Sequence, residues 1–310
     1  MGIHDTKPDL VLSLVDNYDF YEFGRFLMSL RRTGYSGHVC LFVGPGLSRL
    51  TLRKMRQLGV EMIRFDLAFP FIPDPHPLAP KSLPNPIDLT NYRHFLYYNY
   101  LRKHEGEFRN VLLTDARDVF FQDDPFGWEI SHCMHVAMEN PLIRVGACKC
   151  TSSWILDGYS PEVLERVKDE ELSCAGTTLG PAPLVVRYLE LMLDQIALMK
   201  DANLCSDQAA HNLLLHDGCL EPTRRLRNFE GPLLTVGTEP SYRLNERNEL
   251  VNRDGSVIPI IHQYDRHREL VRIFEEKVRP WPLHRFAART AFRVRNRLRA
   301  IRQRRQMRQR

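Results

Sequence analysis

Apolar residues fall in two alternating rhythms along the first part of the chain. Leu10 to Val15 (LVLSLV) is an unbroken apolar run of strand length, and Tyr21 to Arg32 follows with Phe23, Phe26, Leu27 and Leu30 spaced for one face of a helix. Val39 to Val43 reads as a second strand, and Leu47 to Leu58 as a second helix stopped by Gly59. Val60 to Phe65 reads as a third strand. Strand and helix in strict alternation predict an α/β fold with a mostly parallel sheet flanked by helices on both faces.

Seven prolines between Pro70 and Pro86 exclude a helix or central strand there and predict an extended surface loop. The pattern resumes with a helix over Asn91 to Lys103 and a very apolar strand over Val111 to Thr114. Further strands are expected around Leu172 to Leu179, at Leu233 to Val236 and at Val257 to His262. Helices are expected at Pro183 to Met199 and Ser206 to Leu215, and no internal repeat is visible. The loop thus reads as internal to one domain, residues 1–280, followed by a tail, 281–310.

Charge separates these two parts. The chain carries +5 overall, but Arg285 to Arg310 holds eleven arginines and no acid, which leaves residues 1–284 at −6. Phe286, Phe292, Leu298 and Ile301 interleave with the arginines without proline or glycine, the pattern of a basic amphipathic helix suited to an anionic membrane surface. A disordered solubilising tail fits the same composition. Nucleic acid is not an expected partner, because neither a binding module nor an aromatic stacking platform is present. No apolar stretch approaches the length of a membrane span or a signal peptide, so a cytoplasmic location is expected, with the tail allowing a peripheral position at the inner face of a membrane. Seven scattered cysteines read as reduced thiols, and the lone Cys148-x-Cys150 pair has no second pair to complete a zinc site.

The densest chemistry lies in Asn110-Val-Leu-Leu-Thr-Asp115-Ala-Arg-Asp118-Val-Phe-Phe. Ligands of open α/β sheets sit beyond the carboxyl ends of the strands, and Asp115 and Asp118 occupy that place. Carboxylates can face an anionic diphosphate only across a divalent cation, and oxygen ligands favour Mn2+ or Mg2+. The structural alternative is that Asp115 caps the next turn and Asp118 pairs with Arg117.

The segment resembles the D-x-D region of the GT-A glycosyltransferases, and the order of segments is similar to the glycogenin and galactinol-synthase-like group. Asp16-Asn17-Tyr18 after the first strand resembles that family's base-binding loop. Arg93 resembles the helix arginine that reaches the donor, and Cys174-Ala175-Gly176 resembles an N-A-G segment with Cys in place of Asn. Asp207-Gln208-Ala-Ala-His211-Asn212 matches D-Q-x-x-x-N, and His262 stands where the family has its third metal ligand. The acids here read D-A-R-D, and a K-P-W after the histidine is missing.

The resemblance implies a GT-A, Rossmann-like domain and a metal-dependent, hexosyltransferase-like enzyme. Such an enzyme moves a sugar from a UDP- or GDP-sugar to a hydroxyl on a saccharide or lipid-linked acceptor. Asp115, Asp118 and His262 would then hold Mn2+ or Mg2+, and Asp16, Asn17, Tyr18, Arg93, Arg117, Ala175 and Gly176 would hold the donor. Asp207, Gln208 and Arg93 would act at the reacting sugar. Bland roles stand beside these: a hydrogen-bonded core histidine for His262, a loop tyrosine for Tyr18, solvated charges for Arg93 and Arg117, and a turn glycine for Gly176. Asp207 and Gln208 open a helix after Ser206, and helix capping is the bland role for the serine and extends to the acid. A metal-dependent phosphohydrolase or nucleotidyltransferase also suits acids at a strand end, and a non-catalytic nucleotide-sugar-binding adaptor would suit loss of a ligand.

Overall fold

The computed structural model describes residues 7–65, 88–130, 132–200 and 206–278. The proline-rich loop and the arginine tail fall outside them.

The elements in chain order are β1 (Leu10–Val15), α1 (Phe20–Arg32), β2 (His38–Val43), α2 (Arg49–Gln57), β3 (Glu61–Arg64), α3 (Leu89–Lys103), β4 (Asn110–Thr114), β5 (Val119–Phe121) and β6 (Met134–Met138). They continue with α4 (Lys149–Gly158), α5 (Pro161–Val167), β7 (Ser173–Pro181), α6 (Ala182–Ala197), α7 (Asp207–His216), β8 (Thr223–Leu226), β9 (Leu233–Thr235), β10 (Ile260–His262) and α8 (Arg268–Lys277). Seven strands form the central sheet in the order β3-β2-β1-β4-β7-β6-β8. The pairs among β3, β2, β1 and β4 are parallel, β7 runs against both neighbours, and β6 pairs with β8 in parallel. The expected mostly parallel sheet flanked by helices is therefore present.

Side chains alternate across this sheet with period two. On β1, Leu10 and Leu12 enter a core with α3, α6 and α7, whereas Val11 and Val15 enter a second core with α1 and α2. Burial on both faces is why β1 and β4 read as continuous apolar runs. Helix α1 is set at its start by a capping box: Asp19 accepts from the Tyr21 and Glu22 amides while Glu22 accepts from the Asp19 amide at 2.9 Å.

A small second sheet, β5-β10-β9, packs beside α1 and α8 around its own core, in which Phe120 and Phe274 stack with ring centroids 3.9 Å apart. Its central strand is shorter than the apolar run Val257 to His262 predicts. Pro259 has no amide hydrogen to give, and Val257 instead bridges Val251. Five further elements have no counterpart in the hydrophobic pattern read above outside the metal segment: β6, α4, α5, β8 and α8.

Candidate metal centre

Two antiparallel pairings bring the centre together. Asp115 follows the last residue of β4, and its amide donates to the Gly176 carbonyl of the antiparallel neighbour β7 at 2.8 Å. Asp118 immediately precedes β5, whose antiparallel pairing with β10 sets Val119 against His262. The Gln263 amide then donates to the Asp118 carbonyl at 2.8 Å. Sheet pairing thus carries His262 to two acids well over a hundred residues earlier.

His262 Nε2 lies 3.5 Å from Asp115 Oδ2 and 3.9 Å from Asp118 Oδ1. One ligand atom from each of the three residues falls within 4.8 Å of the others, the one such group among the described residues. Nε2 is buried and makes no hydrogen bond. Ligands at about 2.1 Å from a common cation stand roughly 3.0–4.2 Å apart at ordinary coordination angles, so these separations suit a cation better than direct contact. Two carboxylates with one imidazole are a donor set that could hold a divalent cation.

Gly176 leaves the room. A Cβ at that position would stand 2.5 Å from His262 Cε1, 2.7 Å from Asp115 Oδ2 and 2.9 Å from His262 Nε2. The glycine is therefore demanded by the close approach of the Asp115 and His262 side chains. It lies in a local detour: Val136 of β6 pairs with Thr178, but the next residue, Ala137, pairs with Cys174. Ala175, Gly176 and Thr177 bulge away from β6 between them, a distortion frequent beside active sites. The Gln208 side chain fills the vacated pairing, accepting from the Ala175 amide at 2.9 Å and donating to the Ser173 carbonyl at 2.8 Å. Ala175 and Gln208 thus meet each other through the backbone of the detour.

Arg93 has one guanidinium nitrogen on Asp115 Oδ1 and the other 2.6 Å from Asp207 Oδ2. His94 Nε2 stands 3.4 Å from the same Asp207 oxygen. The Asp207 side chain is 5% exposed, whereas Asp115 keeps 34% of its own open to the cleft. Asp115 is consequently divided, one oxygen to the arginine fork and the other to the histidine. Ser206 does not cap α7 as expected; its hydroxyl accepts from the Asn91 amide nitrogen at 2.8 Å, and Asp207 Oδ1 accepts from the Gln208 amide.

Arg117 pairs with Asp265 at 3.0 Å and more distantly with Asp118 at 3.7 Å, with nearly half its side chain exposed. Asp16, Asn17 and Tyr18 lie beyond the end of β1 on the same edge, with Asn17 in the left-handed region at φ 58°. The Asn17 side-chain amide donates to Asp16, and the Gly46 amide donates to Asp16 at 3.3 Å. Burial raises the Tyr18 phenol, with Arg117 opposing and Asp115 and Asp118 adding to the rise, which places the ring within electrostatic reach of the acids.

The titration of the acids is split. Burial would raise Asp115, but Arg93 and His262 bring its carboxyl below the usual range. Burial raises Asp118 against the opposing pull of His262, with the Asp115 and Asp265 charges adding to the rise. Two neighbouring carboxylates of which one resists ionising form a site that gains from an added positive charge.

Glu139 was not singled out by the hydrophobic pattern. It follows β6 directly, and β6 runs parallel to β4, so its carboxyl stands at the same edge as Asp115. Gln208 Nε2 lies 3.4 Å from it, and burial, opposed by Arg266 and His262, raises it. Reading Met134-His-Val-Ala-Met138 as a strand would have placed it.

A concavity of about 750 Å³ lies elsewhere, between Arg102, Arg109 and Trp128 at the opposite end of β4. It contains none of these groups. All cysteines among the described residues are free thiols, and no helix among them is long and apolar enough to cross a membrane. No protein-family model matches the chain, and no curated protein matches it.

Proposed function

We infer that the chain is a divalent-metal-dependent glycosyltransferase that takes a nucleotide-diphosphate sugar as donor and a hydroxyl group as acceptor. The observation that carries this reading is the buried, unpartnered Nε2 of His262 facing Asp115 and Asp118 at the carboxyl edge of a mostly parallel sheet. The order of Asp16-Asn17-Tyr18, Arg93, the acids, Cys174-Ala175-Gly176, Asp207-Gln208 and His262 along the chain supports a GT-A enzyme over other uses of such an edge.

Asp115, Asp118 and His262 would hold the ion. When bound, Mn2+ or Mg2+ supplies positive charge to the diphosphate as the nucleotide leaves. The residues of the chain do the rest by position. Asp16, Asn17 and Tyr18 stand where a nucleoside would lie beside the acids, and Arg117, half exposed, can turn to phosphate oxygens. Arg93 and Asp207 hold Asp115 in place, and Gln208 holds the contour of the Ala175-Gly176 segment under the donor. Positioning and fixed charge of this kind account for most of the rate enhancement in such transfers. An acceptor on a membrane lipid would suit the arginine tail.

Thermal-shift measurements with UDP, GDP and CDP, each with and without Mn2+, test the assignment. Stabilisation by one nucleotide that requires the metal and vanishes in Asp115→Ala is expected. Equal nucleotide affinity in that variant would overturn it, and turnover of a simple phosphate ester or nucleoside triphosphate would favour phosphoryl chemistry.

A further inference from the structure

Cys174 takes the place where the resembling family has asparagine, and its surroundings give the sulfur a task. It is buried, and two nitrogens converge on it: His262 Nδ1 at 3.6 Å and the Gln263 side-chain nitrogen, which donates at 3.7 Å. Gln263 reaches the sulfur from a left-handed backbone at φ 60°, a conformation an ordinary side chain adopts only where its surroundings enforce it.

We propose that Cys174 is a positioning residue of the metal centre, whose sulfur accepts the Nδ1–H of His262 and so turns the bare Nε2 toward Asp115 and Asp118. A histidine ligand needs its other ring nitrogen protonated and held, since that bond fixes both the tautomer and the plane of the ring. Backbone carbonyls and carboxylates usually serve; here no other acceptor contacts Nδ1 among the described residues. The independent pointer to a ligand is on the far side of the ring, where Nε2 is fully buried, has no hydrogen-bond partner and looks between two carboxylates. The side chain of His262 is 1% exposed, so solvent does not orient it.

The proposal rests on the metal reading above, and the test keeps the two apart. Mn2+ is titrated into the full chain and free Mn2+ read by electron paramagnetic resonance, for the native protein, Cys174→Ser, Cys174→Val and Asp115→Ala. Valine removes the acceptor and adds about one methyl group of volume, and serine keeps an acceptor with a shorter reach. Loss of affinity by about 10- to 100-fold in Cys174→Val is expected, with most of it restored in Cys174→Ser. Affinity within twofold of native in Cys174→Val, or a serine variant as weak as the valine one, overturns the proposal alone. Native chain that takes up no more Mn2+ than Asp115→Ala overturns the metal reading with it. A measurement on the native protein needs no variant: with Zn2+ as a diamagnetic probe, ring 15N correlations of His262 should show Nδ1 protonated and Nε2 metal-bound, and the reverse assignment overturns the proposal.

Discussion

His262 Nε2 stands 3.5 Å from Asp115 Oδ2, close enough to share a cation and too far for a good hydrogen bond. Burial pulls the imidazole down, but the Cys174 sulfur and the two carboxylates together raise it well above its ordinary value. In the absence of metal the folded chain therefore holds this proton more tightly than the unfolded chain. Its contribution to stability is complete below about pH 6.5 and is lost as pH rises through the raised folded value. A cation at Nε2 has to displace the same proton, so Mn2+ affinity should climb with pH by about tenfold per unit while displacement lasts. Calorimetric titrations at several pH values in buffers of different ionisation enthalpy check both the slope and the proton released.

Gly176→Ala places a methyl group against the Asp115 oxygen and the His262 ring edge. Neither neighbour is a flexible chain end: Asp115 is tied to Arg93, and His262 is enclosed. At least a tenfold loss of Mn2+ affinity is expected, a size consistent with displaced ligands. The metal-free melting temperature should fall by only a few degrees, and a variant that binds Mn2+ as the native chain does would show that the cleft is wider than described.

Arg93 serves two acids at once, and Asp207 is almost completely enclosed. Arg93→Met should destabilise the chain by about 3–5 kcal/mol, because it leaves a buried carboxylate without its main partner. Adding Asp207→Asn should restore part of that loss, so the double variant costs less than the sum of the singles. Urea unfolding of the three variants measures the coupling, and strict additivity would mean that the two side chains do not interact.

His211 supplies a pH dependence of the opposite sign. Tyr188 and Ser173 bracket its ring at 3.0 and 2.9 Å, and the Ser173 hydroxyl already donates to the Ala137 carbonyl. The serine must then accept from Nε2–H while the tyrosine donates to Nδ1, which fixes a neutral imidazole. Burial accordingly pushes His211 down to about 3. Stability from this residue is complete above about pH 6.5 and is lost as pH falls toward 3, by up to about 1.4 kcal/mol per unit. Acid unfolding of His211→Asn should show a shallower slope across that interval than the native chain.

The fold was legible wherever strands were buried on both faces. LVLSLV and NVLLT declare themselves, and the helices between them show one apolar face each. The edge strand β8 has the sequence Thr-Arg-Arg-Leu with two exposed arginines, so it carries no hydrophobic signal. Strand β6 is interrupted by a buried histidine, His135, and hid Glu139 with it. Of the centre, Asp115, Asp118 and His262 could be picked out because each ends or adjoins an apolar run. The contact of Cys174 with His262, the Gln208 clasp and the Arg93–Asp207 pair could not, since they depend on how many residues β7 spends in its detour and on which ions meet across helices. Neither quantity is written in local periodicity.

That detour has a wider consequence. Pairing with β6 is restored on both sides of it, so the sheet beneath keeps its alignment whatever the contour of the three displaced residues. Depth and lining at this point of the cleft can therefore vary through Ala175, Gly176 and the Gln208 side chain that clasps them, with the hydrophobic layers on either side left unaltered.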